Sequence, residues 1–271
     1  MTDAWIAGLT PESAAGLRGG FDADAAAYQR TRPVCPPEMF DDLTRLAGLA
    51  PGSRVVEIGC GTGQATVPLA ERGLAVTAVE LGASLAALAR ARTAHFPDVS
   101  VVTSTFEDWR PPDDRLWDAV IAVNSLHWVE LRVRYARPAA LLRPGGALVV
   151  AGLSWAQPAD AHPFWSDVQE DYLAVGFRGS PPPPPDQIPP WHLPREALGY
   201  FTEASSQRYP FRMTYSAADY LAQLSTQSGI KELGPATAAD FLARVHRRLD
   251  ALGWPELTAT FAGYLAIGIR R

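Results

Sequence analysis

The chain has one lysine, Lys231, among 24 basic residues, and only two cysteines, Cys35 and Cys60, in 271 positions. With a single lysine outside any motif, there is no candidate for an amine nucleophile or a Schiff base. The cysteines are far apart and form no C-x-x-C, and the five histidines are scattered, so no metal site is legible. Cys60 reads as a small loop residue. A net charge of −5 speaks against a nucleic-acid partner, which needs a basic face to neutralise phosphates. No run of about 18 apolar residues occurs, and the opening Met-Thr-Asp-Ala-Trp lacks the basic start and apolar core of a secretory signal. The expectation is a cytoplasmic protein with no membrane partner.

What the chain does have is apolar material and one sharply punctuated loop. Hydrophobic residues make up 47% of it, enough to bury a sizeable core as one large α/β domain or as a core with an elaborated cap. Residues 54–64 read Arg-Val-Val-Glu-Ile-Gly-Cys-Gly-Thr-Gly-Gln. The β-branched Val55, Val56 and Ile58 suit a strand covered on both faces, and Gly59, Gly61 and Gly63 permit a tight turn closed to other residues. Such a loop frees backbone N–H groups and lets a ligand approach the main chain. A dinucleotide fingerprint would need a third glycine where Gln64 stands, and a P-loop would need a G-K-[ST] ending that is absent. The acid before the loop, Glu57, and a second acid, Glu80, closing the next apolar strand make the pattern more specific.

Four blocks, VVEIGCGTG at 55–63, AVTAVE at 75–80, DAVIAVNSLHWV at 118–129 and LLRPGGALVV at 141–150, together resemble the class I S-adenosylmethionine (SAM) dependent methyltransferases. The likeness covers residues 20–155 most strongly. It looks closest to the small-molecule branch, whose N-terminal segment reads like Phe-Asp-x-x-Ala-x-x-Tyr-x-x-x-Arg-Pro, present here from Phe21 to Pro33. The richness in Arg, Ala and Pro is similar to that of proteins from GC-rich bacteria.

The resemblance implies SAM as cofactor and S-adenosylhomocysteine as product. Glu80 would accept both ribose hydroxyls, and Glu57 would neighbour the methionine ammonium, often indirectly, or else serve only as a strand-end carboxylate satisfied by loop N–H groups. Gly59, Cys60, Gly61, Gly63 and Gln64 form the loop, and Asn124 ends the fourth strand. Tyr28 and Arg32 would cover the methionine carboxylate, unless they lie on a solvated helix face. Leu81 and Leu85 would sandwich adenine, with Thr105 and Phe106 at its edge and face. The usual acid at the adenine amino group is missing, since Ser104-Thr105 stands there and Glu107 follows.

Strands are expected at 54–58, 75–80, 99–103, 117–123 and 146–152, with helices at 37–49, 63–72, 83–95 and 130–142. This alternation implies right-handed βαβ units. Beyond Leu153 the pattern changes to a helix at 163–175, five prolines at 181–185 read as a stiff surface connector, and a strand at 208–215. A capping box at Ser216 and Asp219 opens a helix through Leu224, Thr237 and Asp240 open another through Leu252, and a last strand spans 257–269. The expected fold is α/β: a Rossmann-like, mostly parallel seven-stranded sheet with an antiparallel edge strand and an inserted helical cap. Its parts are an N-terminal lid at 1–36, a SAM-binding core at 37–155, a substrate cap at 156–205 and a completing segment at 206–271.

The expected chemistry is methyl transfer from SAM to a small, apolar or aromatic molecule, in bacterial specialised metabolism. His127 is the candidate general base, or a histidine that only packs beneath the ligand. Trp128, Trp155 and Trp165 are candidate substrate contacts. They belong with Phe164, Tyr172, Phe177, Trp191, Tyr200 and Phe201, which either wall a pocket or form ordinary cap core. Two other classes remain open: a SAM-binding protein that regulates, scaffolds or promotes another reaction, and a nicotinamide oxidoreductase, against which Gln64 and Glu57 both speak.

Overall fold

A computed structural model describes residues 22, 25–158, 162–177 and 181–271. The expected tail over residues 1–19, and Phe21 at the head of the lid segment, lie outside the described residues. The sheet has seven strands: β1 (Arg54–Ile58), β2 (Ala75–Glu80), β3 (Val99–Thr103), β4 (Trp117–Val123), β5 (Leu142–Ala156), β6 (Phe201–Ser216) and β7 (Glu256–Arg270). Their spatial order is β3-β2-β1-β4-β5-β7-β6. β3, β2, β1, β4 and β5 pair in parallel, and β7 is antiparallel to both β5 and β6. The antiparallel strand therefore lies one place in from the edge, which β6 occupies.

The described helices are α1 (Ala25–Thr31), α2 (Pro37–Leu46), α3 (Thr66–Glu71), α4 (Ala83–Thr93), α5 (Leu131–Arg134), α6 (Ala136–Leu141), α7 (Phe164–Ala174), α8 (Ala217–Ser225), α9 (Ser228–Lys231) and α10 (Pro235–Leu252). On one face of the sheet Met39, Phe40 and Leu43 of α2, with Leu69 of α3, pack on Val55, Val76 and Ile121. On the other, Trp109, Tyr135, Leu193 and Phe201 pack on Val56, Val120 and Leu148. Burial on both faces is why these strands read as near-continuous apolar runs. A third cluster joins Phe164 and Val168 of α7, Leu224 of α8 and Phe241 and Val245 of α10 to Leu257 and Phe261 of β7. β7 thus runs through the sheet and out into the cap.

Several boundaries differ from the sequence expectation for local reasons. The helix expected at 130–142 is two, because Pro138 has no N–H to give the carbonyl of Arg134 and the chain turns at the buried Tyr135. α3 starts late because Gly63 holds a φ of +82°, which a helix cannot use. α2 stops at Leu46, where Gly48 at φ +64° lets the Leu49 N–H return to the Thr44 carbonyl. Ser216 does cap α8, accepting the Asp219 N–H at 3.0 Å. The matching box at Thr237 is unused, since α10 begins earlier, at Pro235 behind Gly234. β6 begins at Phe201 rather than 208, so it crosses the 205/206 division. Its first half, Thr-Glu-Ala-Ser-Ser-Gln, is too polar to read as a strand and is held by pairing with β7.

Candidate functional site

The carboxyl ends of β1 to β4 open into one cavity of about 930 Å³, where Gly59, Glu80, Thr105 and Asn124 converge. Ligands of open parallel sheets bind at this end, where the strand order reverses. Gly59, Gly61 and Gly63 hold φ values of +64°, +57° and +82°. A Cβ on Gly59 would stand 2.7 Å from that of Ser125, and one on Gly61 would lie 3.6 Å from the Tyr28 ring across the cavity wall. Gly63 instead packs toward Ala89 of α4 and does not line the cavity.

The Glu80 carboxylate accepts the Gly61 N–H through Oε2 and the Gly82 N–H through Oε1, each at 2.8 Å. Each oxygen keeps a lone pair, so the pair suits a vicinal diol. Burial raises the Glu80 pKa, the Gly82 and Gly61 N–H groups oppose this, and nearby Asp22 adds to it. Glu57, 1% exposed, is not part of the cavity wall. It sits behind the loop, accepts the Thr66 hydroxyl at 2.6 Å, and is pushed up to about 7 by burial, with Thr66 opposing and the Glu80 charge adding. Any influence it has on a ligand passes through the loop. Cys60 is likewise buried outside the cavity, and burial, then the Glu57 and Glu80 charges, raise its thiol well above the usual range. Gln64 does line the cavity, and its buried Nε2 has no hydrogen-bond partner.

Tyr28 and Arg32 stand in the cavity wall rather than on a solvated face. Arg32 Nη2 donates to the Thr226 carbonyl at 2.6 Å and its guanidinium lies 4.8 Å from the Tyr28 ring. Arg30 pairs with Asp219 at 2.9 Å, so α1 is moored to α8. Leu85 is buried and Leu81 exposed, both on the cavity. Thr105 spends its hydroxyl on Asp108, donating at 2.8 Å and accepting the Asp108 N–H at 3.0 Å. Phe106 is buried beside Trp109, with the Arg137 guanidinium 5.2 Å from its ring. The acid on this wall is Glu107, the neighbour the sequence pointed to after Ser104-Thr105; its Oε1 accepts the Glu130 N–H at 2.9 Å.

Asn124, at φ +55°, is the only non-glycine in the left-handed region among the described residues. Its Oδ1 accepts the Leu153 N–H at 2.8 Å, tying β4 to β5 at the cavity floor. Backbone held this way clusters at functional sites. A short 3₁₀ turn, Leu126–Trp128, follows and carries His127 and Trp128, both in the wall, with rings 5.1 Å apart. Arg134 Nη2 holds the His127 carbonyl at 2.7 Å.

The far wall is aromatic. Trp155, Trp165, Tyr172, Phe177 and Trp191 line it, whereas Phe164 and Phe201 are buried in core clusters and Tyr200 is exposed. Pro181, Pro182 and Pro183 also line it, and Gln157 N–H bonds to the Pro183 carbonyl at 3.0 Å. The proline run is exposed at Pro181 and Pro183, as a surface connector is, and through this one bond just beyond β5 it also borders the cavity. The sequence reading missed Tyr220, Gln223, Gln227 and Tyr264, which also face the cavity. The spacing of the first two behind the Ser216 cap was the available signal. Among the described residues no group of three or more His, Cys, Asp or Glu is placed to hold a metal, and no helix is long and apolar enough to cross a membrane.

Residues 55–146 match the family described as methyltransferase domain. Over this stretch the chain is similar to methyltransferase domains. The chain is 38% identical over 161 residues to an uncharacterized methyltransferase of Mycobacterium tuberculosis, covering 59% of this chain and 60% of that relative. A trans-aconitate 2-methyltransferase of Delftia acidovorans is 35% identical over 126 residues, 46% of this chain and 44% of the relative. The chain therefore spans about half to three-fifths of the length of these curated relatives. Among solved structures, one assigned as a type II methyltransferase of Anaeromyxobacter dehalogenans superposes at a TM-score of 0.61 with 23% identity, covering 89% of this chain and 97% of that one. A SAM-dependent methyltransferase of Geobacter sulfurreducens, in complex with S-adenosylhomocysteine, superposes at 0.50 with 16% identity, covering 90% and 96%. These two structures share the fold of this chain over 89% and 90% of its length, beyond residues 55–146.

Proposed function

We propose that the protein transfers a methyl group from SAM to a small, apolar or aromatic acceptor in bacterial specialised metabolism. The observation that carries this reading is a single cavity joining the glycine loop and Glu80 at one end to Trp155, Trp165, Tyr172 and Trp191 at the other. Cavities of about 300–1,000 Å³ hold a drug-sized ligand, so about 930 Å³ suits a cofactor and an acceptor together. The loop end fits an adenosyl amino acid: a clamped carboxylate for a ribose diol, a backbone that only glycine keeps open, and Gln64 in the wall with a buried amide nitrogen that has no partner.

SAM supplies a methyl already activated by its sulfonium. In this reading Glu80 holds the ribose, Leu85 and Phe106 bound the adenine, Arg32 faces the methionine carboxylate, and the aromatic wall keeps water from the acceptor. His127 accepts the acceptor's proton where one must leave.

The test is calorimetric titration with SAM, S-adenosylhomocysteine and NAD, followed by transfer of labelled methyl to a panel of apolar and aromatic acceptors. Micromolar binding of both adenosyl ligands, none of NAD, and labelled product are expected. Adenosyl binding with no transfer to any acceptor would favour a protein that uses SAM without moving its methyl, and NAD binding in their place would overturn the proposal.

A further inference from the structure

Two helices from separate stretches of the chain present the same chemistry to the cap end of the cavity. On α7, Trp165, Val168, Gln169 and Tyr172 fall at helical spacing on one face and all line the cavity. On α8, Tyr220 and Gln223 do the same, and Gln227 follows in the turn to α9. Helical positions this deep ordinarily carry aliphatic side chains, as the fully buried neighbour Leu224 does, yet Gln223 is 1% exposed. Its Oε1 accepts from Gln227 Nε2 at 3.0 Å, which leaves the amide pair with both donor and acceptor capacity. Gln169 donates to the Trp165 carbonyl at 3.2 Å and keeps its own carbonyl oxygen.

The rings set the shape. Trp191 and Tyr264 stack at 5.7 Å with 25° between their planes, a nearly flat panel, and Trp165 meets Tyr220 edge to face at 6.0 Å. A flat ligand extends such stacking. Charge sets the limits. Among the described residues no carboxylate lines this end. Of its basic side chains, Arg208 lies at the rim and donates to the Asp186 and Ile188 carbonyls, and the His192 ring bonds Glu203 at 2.7 Å. Arg32, at the junction, holds the Thr226 carbonyl. A carboxylate moved between the rings would lose its water and meet amides and ring faces in place of a guanidinium fork.

We infer that the methyl acceptor is an uncharged, flat aromatic molecule bearing two or more hydroxyl or carbonyl oxygens, bound between the Trp191–Tyr264 panel and the glutamines of α7 and α8. The inference rests on the methyl-transfer reading for the location of the acceptor.

The experiment titrates the protein, loaded with S-adenosylhomocysteine, with four probes on one skeleton, followed by quenching of the cavity tryptophans. The probes are a dihydroxynaphthalene, naphthalene, a naphthalene dicarboxylate and aminomethylnaphthalene. The diol is expected to bind about tenfold or more tighter than each of the others, the scale of one net hydrogen bond. Gln223→Leu is expected to lose about tenfold in affinity for the diol and nothing for naphthalene; if that variant fails to fold, Gln169→Leu takes its place under the same criterion. A diol that does not bind, an ion that binds as tightly, or naphthalene that equals the diol overturns the inference while leaving methyl transfer intact. Absence of S-adenosylhomocysteine binding, measured first, overturns the methyl-transfer reading and the inference with it.

Discussion

The two ends of the cavity are made of different materials. At the loop end the walls are main chain and strand termini: two left-handed glycines, Gly59 and Gly61, the Glu80 carboxylate clamped by two backbone N–H groups, and Asn124 at φ +55°. At the cap end they are side chains projected from α7, α8 and β7, held by aromatic contacts and by a cluster that includes Phe164, Phe241 and Phe261. A site made of backbone admits few substitutions and so suits a ligand that does not change. A site made of side chains can be repacked one residue at a time while the sheet beneath it stays the same.

If this contrast is right, the largest effect belongs to the loop. Gly61→Val puts a branched side chain at φ +57° beside the Tyr28 ring, and S-adenosylhomocysteine binding should vanish in calorimetry while circular dichroism still reports a folded protein. Unchanged affinity would remove the loop from the site. Next comes His127→Ala, which should slow turnover by about a hundredfold or more while leaving cofactor affinity alone, the signature of a lost base. A wild-type rate would reduce His127 to packing.

Glu80→Ala should weaken the cofactor by about 1–3 kcal/mol through lost hydrogen bonds, measurable as a shift in Kd. Equal loss of acceptor affinity in the same variant would break the separation between the ends. The last effect is on stability and is spread over a pH range. Glu57 is pushed up to about 7 from an ordinary value of 4.5, so the folded state holds its proton more tightly than the unfolded one. The stability this contributes is complete below pH 4.5 and is lost as pH rises toward 7, up to about 3 kcal/mol at the full shift. Thermal melts of the wild type should fall over that window, and Glu57→Gln should flatten the slope; an unchanged slope would place the titrating group elsewhere.

Much of the loop end was legible because each residue there answers to a local rule. Val55 to Ile58 had to be a covered strand, Gly59 and Gly61 had to turn it, and Glu80 had to close the neighbouring strand. The reading went less far where a role depends on which way a side chain faces. Glu57, Cys60 and Gly63 sit in the same motif as Gly61, yet they point behind the loop, toward Thr66 and α4. The cap was legible only as aromatic composition. That Trp165 walls the cavity while its neighbour Phe164 fills the core follows from α7's rotation against β7, and Tyr264 enters the site through its pairing opposite Gly152.

By itself, then, the sequence determined the parallel core, the turn at its edge and the acids flanking it, since apolar period, glycine conformation and strand-end position are properties of neighbouring residues. The tertiary structure alone decided that Gln223, Gln227 and the proline run meet the rings of α7 in one chamber. Those residues are up to some sixty positions apart in the chain, and only the packing of the cap on the outer half of β7 brings them together.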